Sequence, residues 1–80
     1  MPVAWDKAAK AIIESEKAKR GWSNRDLAKA LAQIGVETKE HGIAQKLSNG
    51  NFAVSFLLQC LMAMNVENLQ IGELLRLHEK

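Results

Sequence analysis

Apolar residues recur along this chain at helical rather than strand spacing, and they do so in five blocks. In residues 4–20, Trp5, Ala9, Ile12 and Ile13 form an apolar side opposite Glu14 and Lys17, and Gly21 closes the predicted helix. In residues 23–34, Leu27, Ala30, Leu31 and Ile34 recur at i, i+3, i+4 and i+7, ahead of Gly35. Ser23 precedes them as a cap, Asp26 completes a capping box, and Trp22 holds the position of a hydrophobic staple. Residues 39–48 place Ile43 and Leu47 one turn apart and end in Ser48-Asn49-Gly50.

The fourth block, residues 52–64, is apolar almost all round, which predicts a central helix. Phe52, Phe56, Cys60 and Ala63 line one side, widened by Ala53, Leu57, Leu61 and Met64. Leu58 and Met62 remain on the far side, either covered by the last helix or free as a partner patch. After a connection at Asn65 to Asn68, Ile71, Leu74 and Leu75 return at helical spacing with Leu77 beside them. A fifth helix over 70–79 is expected, with a strand through 68–71 as the alternative. This end either completes the core or builds a two-fold interface, for which Leu58, Met62, Leu74 and Leu77 are the candidates. The pattern predicts an all-α, compact five-helix fold in one domain over residues 1–80.

The second and third blocks, two short helices joined by a bend at Gly35-Val36, are what a helix-turn-helix requires. At ~100° per residue, Ile43 and Leu47 face inward and His41, Gln45, Ser48 and Asn49 face outward. Gln can pair bidentately with adenine, and Asn and Ser reach bases or phosphates. These four are the candidate base-facing residues. The phosphate candidates are Ser23, Asn24, Arg25 and Lys29 at the start and outer side of the second helix, with Lys39 and Lys46 flanking the third. Lys17-Ala18-Lys19-Arg20 is read first as a cationic helix end meeting the negative C-terminus, and second as a phosphate contact. Gly42 implies either a close approach to a groove wall or another helix, or a helix that starts after it.

Composition narrows the classes. Net charge is only +2, unlike a polycation, but residues 1–50 hold nine Lys/Arg against six Asp/Glu and residues 51–80 hold two against three. One cysteine, Cys60 in an apolar run, offers neither a disulfide framework nor metal-ligand spacing, and fits a reducing compartment. No signal peptide is visible, and the Phe56–Met64 run, broken by Gln59, is far shorter than the ~20 residues of a membrane span. A soluble, cytoplasmic protein without metal or cofactor is expected. His78 reads as a helix-end residue. No catalytic triad, paired carboxylates or Gly-rich phosphate loop argues for an enzyme.

With these residues placed, the chain resembles the lambda-repressor/Cro-like (XRE-type) helix-turn-helix superfamily, through Asp26-Leu27-Ala28, Gly35-Val36, Ile43 and Asn49-Gly50. It is similar, more closely still, to a small bacterial helix-turn-helix domain family of unassigned function. Leu27-Ala28, Ile34-Gly35-Val36, Lys46 to Phe52 and Phe56-Leu57-Leu58-Gln59-Cys60-Leu61 carry that likeness, over roughly residues 5–71. Gly35 follows Ala28 at a greater distance than in the usual repressor pattern, so the second helix is extended and repressor base contacts do not transfer by alignment. The resemblance implies a regulator of transcription that binds double-stranded DNA, as a homodimer on a pseudo-palindromic site. The competing class is a protein–protein interaction module that keeps the fold without specific DNA binding, which the low net charge and uncharged reading face favour.

Overall fold

The first helix, α1 (Trp5–Arg20), follows from its charge order, with Asp6 in the first turn and Lys17, Lys19 and Arg20 in the last, each complementing the helix dipole. The computed structural model describes residues 5–69, and among these the chain is all-helical, without a strand. Ala8, Ile12 and Ile13 face inward, together with the aliphatic stems of Glu16 and Lys17. Two sequence expectations are corrected here. Trp5 is 66% exposed rather than part of the apolar side. Lys17 is buried rather than wet, because its Nζ donates to Glu14 Oε1 at 3.0 Å and to Asn24 Oδ1, which together satisfy the cation.

Helix α2 (Asn24–Gln33) is bounded by Ser23 and Ile34, which are its caps rather than its first and last helical residues. Leu27 and Leu31 are fully buried. Ile34 does not continue their face, as expected from the spacing, but is 42% exposed. The helix has unwound there: Gly35 takes φ +84°, and Val36, whose amide donates to Leu31 O at 2.9 Å, packs against the core in its place. Helix α3 (Glu40–Asn49) starts one residue later than the spacing suggested, with Lys39 as N-cap, and retains Ser48 and Asn49 as helical residues. It stops at Gly50, whose left-handed φ of 68° lets its amide reach Lys46 O at 3.0 Å.

Helix α4 (Val54–Ala63) is shorter at both ends than the apolar run, leaving Phe52 and Ala53 outside and Met64 as the C-cap. Phe52 still packs edge-on against Phe56, with ring centroids 5.4 Å apart. Nor is α4 covered all round: Phe56, Cys60 and Met64 are buried, whereas Val54, Leu58 and Met62 are exposed and Ala63 is only half-buried. The expected fifth helix over 70–79, with Leu74 and Leu77, lies outside the described residues.

One core joins the elements. Ile13 from α1, Leu27 and Leu31 from α2, Ile43 and Leu47 from α3, and Phe56, Cys60 and Met64 at α4 form a single buried cluster. Trp22 packs against it, as a staple beneath α2 should. Gly50, just ahead of α4, lies beside Asp6 O, and Arg20 Nη2 donates to Met64 O at 2.6 Å at the other end. Helices α1 and α4 therefore run side by side in the same sense, holding the α2–α3 pair on a fixed base.

Candidate nucleic-acid interface

Helix α3 is fixed by two side chains and exposes most of the rest. Ile43 and Leu47 are buried one turn apart, so the opposite face must point outward. His41, Gln45, Ser48 and Asn49 occupy that face, and all four are exposed. None makes a side-chain hydrogen bond among the described residues, so their donors and acceptors remain open to a ligand. Gly42 lies within α3, not in the preceding loop. A Cβ added there would meet Thr38 Oγ1 at 3.5 Å, an ordinary contact, so nothing among the described residues demands glycine.

The phosphate candidates separate into two groups. Ser23 is committed to the capping box: its Oγ accepts from the Asp26 amide at 3.2 Å, and Asp26 Oδ2 accepts from the Ser23 amide at 2.9 Å. The bond from the Ser23 amide, with a second from the Ser23 hydroxyl to Asp26 Oδ2 at 3.1 Å, holds the Asp26 carboxyl below its usual range, so a negative charge already sits at the start of α2. Asn24 turns its Oδ1 to Lys17. Arg25, Lys29 and Lys39, by contrast, are exposed and form no ion pair among the described residues. Arg25 and Lys29 are four residues apart on the side of α2 away from Leu27 and Leu31. Lys46 is exposed but leans on the Phe56 ring, its Nζ 5.3 Å from the centroid.

The basic end of α1 is internal structure. Arg20 Nη1 pairs with Glu16 Oε1 at 2.7 Å while its second nitrogen holds Met64 O, and Lys19 joins Glu16 at 3.3 Å. The Arg20 hydrogen bond is the main force lowering the Glu16 pKa, against the desolvation that raises it. Arg20 thus ties α1 to α4 and is not a free phosphate ligand.

Two exposed residues escaped the sequence reading. Gln33 continues the Arg25–Lys29 row by another turn, a signal the i, i+4 spacing carried. Glu40 opens α3 beside Lys39, with Glu37 nearby in sequence, and brings negative charge to the end of the candidate reading helix. Its signal was its place as the first residue of α3. Among the described residues there is no group of His, Cys, Asp and Glu that could hold a metal, and no helix is long and apolar enough to cross a membrane. Cys60 is fully buried, and burial pushes its thiol up to about 12.

The family model described as "Domain of unknown function (DUF6471)" matches residues 5–69, which takes in all four helices. No curated protein and no solved structure matches the chain.

Proposed function

The chain belongs to the DUF6471 family of domains of unknown function, and from the geometry of α3 we propose that it is a sequence-specific DNA-binding transcriptional regulator of the lambda-repressor-like (XRE-type) helix-turn-helix kind. Helix α3 enters the major groove with His41, Gln45, Ser48 and Asn49 toward base edges. Arg25 and Lys29 on α2, with Lys39, hold phosphates. Two copies read a pseudo-palindromic site, their α3 helices about 34 Å apart. The reducing compartment that suits the buried Cys60 thiol is the cytoplasm.

The observation that carries this reading is the outward face of α3. It is exposed, polar and internally unbonded, on a helix held by Ile43 and Leu47 and backed by a capped α2. Arg25 and Lys29, exposed and without an ion pair among the described residues, put two cations on the neighbouring helix.

The competing reading, an interaction module without DNA affinity, draws on Glu37 and Glu40 beside Lys39 and on the net charge of +2. Titrating the protein into a fluorescent random-sequence duplex at two salt concentrations separates the two. A DNA binder is retained at low salt and released as salt rises, because each phosphate contact displaces counterions. Absence of binding at low salt would transfer the function to a protein partner.

A further inference from the structure

An open groove of about 320 Å³, at the small end of ligand-sized pockets, lies between α2 and the end of α4. Trp22, Ala30 and Ala63, all half-buried, give it an apolar floor. Small side chains at this crossing leave space that larger ones would fill. The rim is polar, with Asp26, Lys29 and Gln33 from successive turns of α2 and Asn65 from just beyond α4.

These rim groups are not spent on one another. Asp26 Oδ2 accepts from the Ser23 amide and hydroxyl at 2.9 and 3.1 Å, and among the described residues nothing bonds its Oδ1. Lys29 forms no ion pair with Asp26 or with any other described residue, although the two stand three residues apart on one helix. The side-chain amides of Gln33 and Asn65 are likewise unbonded among the described residues. Asn65 is also the one non-glycine among them with a left-handed backbone, φ 59°, at the position after the α4 C-cap where glycine is usual.

We propose that this groove binds a free α-amino acid with an apolar side chain. Its carboxylate meets Lys29, its ammonium meets Asp26 Oδ1, and its side chain lies on Trp22 and the two alanines. Charge complementarity selects this class. Positions three apart on a helix set their Cβ atoms about 5–6 Å from each other, which suits a molecule whose own two charges are one carbon apart. A dicarboxylate or a phosphate would be repelled by Asp26, and a diamine by Lys29. An uncharged apolar ligand would desolvate the rim without pairing it.

The site stands on the α2–α4 groove alone, and its consequence rests on the DNA-binding reading above: a bound carboxylate takes Lys29 from phosphate, so occupancy lowers DNA affinity. L-phenylalanine is the probe. Titrated into the isotope-labelled full chain, it should shift the Trp22 indole signal and the Gln33 and Asn65 side-chain amide signals along one saturating curve in nuclear magnetic resonance spectra. So small a ligand should show a dissociation constant on the order of 1 mM. Phenylpropionate, which lacks the ammonium, and phenethylamine, which lacks the carboxylate, should each bind about tenfold more weakly, because each forfeits a hydrogen bond between charged groups. Asn65→Gly, which suits the left-handed backbone, should keep the melting temperature and weaken binding. Lys29→Met should bring L-phenylalanine down to the level of phenethylamine. No saturable shift at these signals, or equal shifts with all three compounds, would overturn the proposal. Saturating L-phenylalanine should also weaken binding to a DNA duplex several-fold. Amino-acid binding that leaves DNA affinity unchanged would overturn the link through Lys29. Amino-acid binding by a chain with no affinity for DNA would support the groove and refute only the reading of α3.

Discussion

Gln45 and Arg25 are both exposed, yet mutation should distinguish them by what they contact. Gln45→Ala removes a bidentate donor–acceptor pair, so base preference should relax at one or two positions while binding to unrelated DNA stays unchanged. Arg25→Ala should weaken binding to every sequence alike and lower the slope of log affinity against log salt by about 1. Binding isotherms on a matched and a scrambled duplex, at several salt concentrations, read both effects. Gly42 offers a third test in which stability and function move oppositely. The 3.5 Å contact with Thr38 leaves room for a methyl group, and alanine is favoured over glycine in a helix by up to about 1 kcal/mol. Gly42→Ala should therefore raise the melting temperature and, where the α3 face approaches a groove wall, reduce DNA affinity. A rise in both would remove the functional reason for glycine at this position.

At the scale of the elements, the punctuation of the helices was legible and their burial less so. Ser23 with Asp26, and the stops at Gly35 and Gly50, follow from local chemistry, and each bounds a helix as expected. Ser23→Ala should cost about 1 kcal/mol, visible as a lower urea midpoint, because the Asp26 amide loses its acceptor. The ends of α4 were harder to place, since neither Ala53 nor Met64 is a polar cap and the apolar run, from Phe52 to Met64, extends past both ends of the helix. Ile34 was misread because periodicity assumes that the helix continues. Once Gly35 turns the chain, Val36 rather than Ile34 reaches the core. Lys17 was misread because its charge argues for water, whereas its burial depends on Asn24, seven residues away on the next helix. Of the candidate site, the outward row of α3 was readable from the two inward positions alone. That Ser23 and Asn24 are spent within the chain was not, because it depends on their partners.

At the scale of the whole molecule, stability should depend on pH through carboxylates that the fold favours in their charged form. The pKa of Glu16 is lowered chiefly by its hydrogen bond to Arg20, and that of Asp26 chiefly by the Ser23 amide. A carboxylate depressed in the folded state contributes its stability above its unfolded value and loses it as pH falls through the folded one. Urea midpoints should hold steady near neutrality and fall as the pH drops below the ordinary values of 4.5 and 3.8 for the two groups. Glu16→Gln should flatten part of that fall and loosen the Arg20 link between α1 and α4. The larger claim is that a fold with one small core and a net charge of +2 presents α3 as a reader of DNA sequence. Selection from a random duplex pool, followed by sequencing, tests it most directly. The account predicts an enriched motif of two inverted half-sites, about one helical turn apart from centre to centre, that loses definition at one or two positions with Gln45→Ala. Retention without enrichment, vanishing at higher salt, or a motif that Gln45→Ala leaves intact, would contradict it.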